Sequence, residues 1–328
     1  MSAPAPAARP GGSTPPALAD LPDLPALWDD ASAENPLESR AESPPDPQRT
    51  PPDPWAELRR HTPARIALGR AGTSLPTSEV LRFAAAHAQA RDAVQLPLDA
   101  AALEAALRAR GLAVLQARSR AASRTEFLVR PDLGRALDDA SRTALDTQRA
   151  AAPAPIELCI VVGDGLSAIA AQRHAPALVE ALAAHLRAGA EPAVRLGPIV
   201  VATQARVALA DEIGHRLGAA LALILLGERP GLSSPDSLGA YLTWAPAPGH
   251  PEAARNCVSN IRPEGLAVPA AAARLAWLVR AALRRRVTGI ELKDESEAPA
   301  LGAERLQVGA STTPDDTRPP AGRMHNPG

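Results

Sequence analysis

Lysine is almost missing from this 328-residue chain: Lys293 is the single exception among 35 basic side chains, and the rest are arginine. Basic and acidic residues balance at 35 and 36, for a formal net charge of −1. That leaves no field of one sign to recruit nucleic acid or an anionic membrane. Cysteine is nearly missing too. Cys159 and Cys257 are too few and too far apart for a disulfide framework or a zinc cluster. The histidines fall at no His-x-x-x-His spacing that would hold a metal. No charged-then-apolar secretory start follows Met1, and no uninterrupted apolar run reaches the ~18–20 residues of a membrane span. A soluble, reduced, cytoplasmic protein is expected, with neither nucleic acid nor membrane as partner.

Proline is abundant, 35 residues in all, and a large share sits in the first fifty positions among Ala, Ser, Asp and Gly. That mixture fixes φ, removes N–H donors and supplies little apolar surface to offset ordering entropy. Residues 1–53 are expected to be a disordered tail, and residues 295–328, equally polar, a second one. Between them, residues 54–150 are expected to be a mostly helical region packing on a core formed by residues 151–294.

Thr62 to Gly72 is expected to be a strand or extended segment ending in a glycine turn. Val80, Leu81, Ala84 and Ala88 form one face of a helix, and Asp99 to Gly111 carries the start and stop signals of a second. Leu112–Leu115 reads as a strand. Pro131 opens a helix running to about Gln148. Ile156–Val162, nearly all apolar and β-branched, is followed by Gly163-Asp164-Gly165-Leu166-Ser167 and an alanine-rich helix, the pattern of a buried parallel strand. Val194–Ala202, a helix over Val207–Leu217 and a strand over Leu221–Leu226 complete two βαβ units. Leu238–Ala245 reads as a further strand, and a last helix begins near Pro269. The fold class is α/β, with a mostly parallel sheet flanked by helices.

Ligands of open α/β sheets sit at the carboxyl ends of the strands. The Gly163 turn could present N–H groups to a phosphate or amide, or be a tight strand-to-helix turn without a ligand. Gly227-Glu228-Arg229-Pro230-Gly231, running on to Ser233, Ser234, Asp236 and Ser237, has the composition of a binding surface and equally of a structural turn. Cys257 serves as a nucleophile only with a histidine beside it; a lone thiol is the commoner case. Asp211-Glu212-Ile213-Gly214-His215 is not the Asp-x-His-x-x-Gly that supplies cobalt with histidine in many B12 proteins, so His215 is expected on an exposed helix face. Arg82, Arg118, Arg120 and Arg124 could pair with carboxylates across a subunit boundary, or form a solvated face.

Several phrases resemble the ethanolamine ammonia-lyase small-subunit family, in family order across about Trp55–Asp294. They are Thr62-Pro63-Ala64-Arg65 with Gly69-Arg70-Ala71-Gly72, Leu81-Arg82-Phe83, Arg130-Pro131-Asp132-Leu133-Gly134-Arg135, Asp164-Gly165-Leu166-Ser167, Gly227-Glu228-Arg229-Pro230-Gly231-Leu232 and Cys257-Val258-Ser259-Asn260-Ile261. The resemblance implies a Rossmann-like fold with a helical N-terminal extension. It also implies adenosylcobalamin as cofactor, held between this chain and a β/α-barrel large subunit in a hetero-oligomer. Cobalt–carbon homolysis would there start a radical conversion of ethanolamine to acetaldehyde and ammonia. Carried over by motif, the cofactor contacts fall at Val207, Glu228 and Cys257, with main-chain groups making some of them. No catalytic residue and no metal ligand is carried over. Extensions in this family can address a bacterial microcompartment, but Leu18-Ala19-Asp20-Leu21-Pro22-Asp23-Leu24-Pro25 is broken by proline and makes a poor targeting helix. A self-sufficient lyase or transferase using Glu228, Asp236 and Cys257, and a cobalamin-binding protein whose partner is not a lyase, are the competing readings.

Overall fold

In the computed structural model, which describes residues 55–296 except 63, 152–153 and 189–191, helices and strands follow one another along one sheet. They are α1 (Thr77–Gln95), α2 (Ala100–Arg108), β1 (Val114–Arg118), α3 (Arg124–Val129), α4 (Asp139–Ala151), β2 (Leu158–Gly163), α5 (Ala168–Arg187), β3 (Ile199–Thr203), α6 (Leu209–Leu217), β4 (Leu221–Gly227), β5 (Leu238–Trp244), β6 (Arg255–Ile261) and α7 (Val268–Arg285). The two expected tails, and Leu18–Pro25 with them, lie outside the described residues, save for residues 295 and 296. No described helix is long and apolar enough to cross a membrane.

The six strands lie in the order β1-β3-β2-β4-β5-β6. β1, β3, β2 and β4 pair in parallel, whereas β4–β5 and β5–β6 pair antiparallel. The sheet is therefore mixed, where a mostly parallel one was expected. The reason is local: the segment joining β4 to β5 contains no helix, and a parallel return needs a crossover of a dozen or more residues. β2 and β4 are buried at every position, as strands must be when helices cover both faces.

Alternation along the strands sorts the core into two clusters. Leu158, Ile160 and Val162 of β2 meet α2, α5 and α7 on one face, joined there by β5 and β6 through Leu242 and Val258. Cys159 and Val161 meet α4 and α6 on the other, where Tyr241 is the contribution of β5. The stretch expected to be mostly helical thus also supplies the edge strand β1. Local chemistry sets the helix ends: the Asp99 carboxylate accepts from Ala102 N, the Ser167 hydroxyl from Ala170 N, and Gly218 closes α6 in the left-handed conformation.

Two expectations for the N-terminal half are corrected. Of the strand or extended segment expected over Thr62–Gly72, the strand does not form among the described residues, because Ala67, Gly69 and Gly72 all take positive φ; an isolated bridge joins Ala71 to Ser74 at the glycine turn. The helix expected from Pro131 to Gln148 is interrupted. A 3-10 turn at Leu133–Arg135 gives way to extended Ala136, because Ala136 O accepts from Arg120 N and Asp138 N donates to Arg118 O. The end of β1 captures that backbone before α4 begins.

Candidate functional site

β2 leads into α5 on one face of the sheet and β3 into α6 on the other, so a crevice opens between their carboxyl ends, the usual ligand position in such sheets. Here the protein fills it. The Asp164 carboxylate, 1% exposed as a residue, accepts from Gln204 N at 2.9 Å, Ala205 N at 2.8 Å and Arg124 Nη1 at 3.3 Å. Arg124 also donates to Val94 O and Gly165 O, and its side chain is 11% exposed. It is an internal tie rather than a member of a solvated face. Burial raises the Asp164 pKa, opposed by the Ala205 N–H and by Arg124.

The Gly163 turn is equally closed. Leu166 N donates to Gly227 O and Ser167 N to Asp164 O. A Cβ on Gly227 would come within 1.9 Å of Ser167 O, and one on Gly165 within 2.2 Å of Gly227 O. The glycines let two backbones touch; they do not cradle a phosphate.

An open surface lies further along the sheet. β5 and β6 send Leu242 and Val258 into the α5–α7 side, so Tyr241 and Cys257, cross-strand partners, face the other way. Among the described residues no helix spans that part of the face: Cys257 and Ser259 are exposed and Tyr241 is half-buried. Glu228, directly after β4, borders it. Its Oε2 accepts from Ser237 Oγ at 2.5 Å and Asn260 N at 3.3 Å, and Gly239 makes room for Oε1, which a Cβ there would meet at 2.8 Å. Val207 stands just before α6, partly buried against the same side of the core as Tyr241. The structure thus puts Val207, Glu228 and Cys257 on one side of the sheet, with Glu228 and Cys257 at the uncovered part of β5 and β6.

The remaining candidates part company with them. Asp236 turns toward α5, where His174 Nε2 at 3.4 Å and Arg173 at 3.0 Å hold its carboxyl down to about 2. It does not converge with Glu228 and Cys257. Burial and the nearby Glu228 charge push the Cys257 thiol up, while the Tyr241 hydroxyl pulls it down, for a net rise. No imidazole acts on it, so the thiol stays protonated and is a poor nucleophile. His215 is exposed on α6. Cys159 lies in the core, its thiol raised by burial to about 12. No group of three or more His, Cys, Asp or Glu side chains among the described residues could hold a metal ion.

Two features escaped the sequence. Arg255 of β6 donates to Asp211 of α6 at 2.5 Å, with both side chains at most 2% exposed. Gln204, at φ +57° and three residues before Val207, leaves its Oε1 buried without a partner. Nothing in the spacing announces either one. Arg255 looks like any loop arginine until the β5–β6 register is known.

Residues 52–293 match the family model described as ethanolamine ammonia-lyase light chain (EutC). The ethanolamine ammonia-lyase small subunit of Ralstonia nicotianae is 55% identical over 253 residues, 77% of this chain and 93% of the relative. Those of Azotobacter vinelandii and Pseudomonas aeruginosa are 56% and 53% identical, over 76% and 80% of this chain and 91% and 95% of their own lengths. The chain belongs to the ethanolamine ammonia-lyase light-chain family.

Proposed function

We propose that this chain is the small subunit of an adenosylcobalamin-dependent ethanolamine ammonia-lyase, forming one wall of the cofactor site against a β/α-barrel large subunit. In this reading the parallel strands β1–β4 make a Rossmann-like floor, and residues 151–294 hold the cofactor. The observation that carries it is the uncovered β5–β6 surface at Glu228 and Cys257, with Val207 on the same side of the sheet.

The residues present fit a corrin. Cobalamin is broad and flat, with primary amides around its rim, so it needs a level surface edged by hydrogen-bond acceptors. Tyr241, Cys257 and Ser259 supply the surface, and Glu228 Oε1 supplies an acceptor at its edge. Glu228 would orient an amide. Ser237 and Asn260 fix its carboxylate from behind by binding the other oxygen. Val207 and Tyr241 would cover the apolar part of the ring and exclude water from it. When bound, the cofactor supplies the radical chemistry by which ethanolamine becomes acetaldehyde and ammonia. Among the described residues the Cys257 thiol at this surface is held protonated and the Glu228 carboxylate is tied to Ser237 and Asn260, which suits a subunit that binds while its partner holds the substrate.

The test is acetaldehyde production from ethanolamine and adenosylcobalamin by this chain, by its large subunit and by the two mixed. Turnover only in the mixture is expected. Turnover by the isolated chain overturns the proposal in favour of a self-sufficient enzyme. Cobalamin binding without turnover in the mixture overturns it in favour of a binding protein with another partner.

A further inference from the structure

Four arginines gather at the carboxyl edge of the sheet, beside the surface just described. Arg124 opens α3, Arg135 ends the 3-10 turn, Arg206 precedes Val207 and Arg229 follows Glu228. The guanidinium groups of Arg124 and Arg206 lie over the same Phe127 ring, at 4.8 and 4.2 Å from its centroid. Burial lowers the Arg206 pKa, and so do the charges of Arg124, Arg135 and Arg229.

The carboxylates nearby pair with only one of these four arginines. Asp164 is committed to two backbone N–H groups and to Arg124, and Glu228 to Ser237 and Asn260. Arg135 and Arg229 have no ion-pair partner among the described residues. Arg206 Nη2 donates to Phe127 O at 3.2 Å, yet its Nε and the Nη2 of Arg124 are buried without an acceptor. An unmet buried donor is unfavourable, and like charges held together add to that. An anion would relieve both.

We infer that Arg206 and Arg229, backed by Arg124, bind a phosphodiester, namely the one in the nucleotide loop of cobalamin. The inference rests on the cofactor reading above. It follows from position: Arg206 adjoins Val207 and Arg229 adjoins Glu228, so the guanidinium groups flank two of the three cofactor positions. It also follows from chemistry. The phosphodiester is the one anionic group of a ligand whose other side arms are amides, and planar guanidinium forks match phosphate oxygens.

Equilibrium dialysis of the reconstituted two-subunit complex against adenosylcobinamide phosphate and adenosylcobinamide isolates the phosphate. The complex is expected to bind the phosphate-bearing ligand about tenfold or more tightly, the order of one charge-assisted hydrogen bond, with the preference shrinking in high salt. Arg229→Ala, at an exposed position, should remove most of that preference while leaving adenosylcobinamide binding unchanged. Arg206→Gln, checked by thermal melting because Arg206 packs on Gly134 and Phe127, should do the same. Equal affinity for the two ligands in the unmodified complex overturns the phosphate site and leaves the cofactor reading intact. So does a preference that survives both substitutions. Loss of subunit assembly on Arg229→Ala with the preference retained assigns the cluster to a partner carboxylate instead, and also overturns it. Failure to bind any corrinoid sinks both readings.

Discussion

Cys257 and Asp236 look alike in the sequence as reactive side chains in polar stretches, and the structure separates them by what surrounds each. The Cys257 thiol is raised by burial and by Glu228 and has no imidazole near enough to act on it, so at neutral pH it offers a small polarizable surface and no charge. Cys257→Ala should therefore leave adenosylcobalamin affinity within about twofold, the scale of an ordinary surface substitution. A binding titration showing more than a tenfold loss would mean that the sulfur itself is required. Asp236 is the opposite case, its carboxyl lowered from an ordinary 3.8 to about 2 by His174 and Arg173. A depressed carboxylate stabilises the fold above its unfolded pKa, and that contribution disappears as pH falls through the folded value. Asp236→Asn should cost on the order of 1–2 kcal/mol at pH 6–7 after allowance for partial exposure. In urea melts the gap between variant and parent should close from about pH 4 downward to about pH 2. A gap independent of pH would show that the ion pairs contribute nothing.

At the scale of elements, the spacing between α6 and β6 is set by a pair that stands one step away from the proposed cofactor contacts. Asp211 lies one helical turn beyond Val207, and Arg255 lies two residues before Cys257, on the same side of its strand. Their buried ion pair thus fixes α6 against β6. Arg255→Met leaves a carboxylate buried, and burial already raises the Asp211 pKa; the expected cost is about 3–5 kcal/mol. Adding Asp211→Asn should restore most of the stability, because a buried pair replaced on both sides leaves no unpaired charge. If it does not, Arg255 acts through His250 O or Glu252 rather than through Asp211. β2 and β4 were legible from their sequences because strands covered on both faces are apolar without interruption. The end of the helix expected after Pro131 was not, since Ala136 is held extended by a strand distant in the chain. The loop holding Glu228 stood out by its composition after a buried strand, whereas Val207 came from the family resemblance alone, since nothing in its own spacing marks it. Tyr241 was missed because its place beside Cys257 depends on an antiparallel register that shifts between Leu238 and Ala240.

The whole molecule is asymmetric in how completely it covers itself. α5 and α7 shield one face of the sheet across to β6, whereas the other face is covered only toward β1–β4. The N-terminal region is more open still. Of the 19 residues of α1, Ala93 is the one that is buried, and Leu81 and Phe83 are 63% and 49% exposed. Apolar side chains in that position add little to folding, since they leave water only in part. They do offer adhesive surface to whatever is near. Replacing both by glutamine, whose helix propensity lies close to that of leucine, should leave the thermal midpoint of the isolated chain within about 3 °C, because neither side chain is packed into the core. The Arg65 guanidinium over the Phe83 ring, at 5.4 Å, is the main interaction that the substitution removes, and an exposed cation–π pair contributes about 0.5–1 kcal/mol. Light scattering at rising protein concentration should show less self-association in the double variant. A fall of 10 °C or more would mean that α1 is anchored to the core more firmly than its burial shows. An unchanged scattering curve would place the adhesive surface elsewhere, with the uncovered face of β5 and β6 next to be tested.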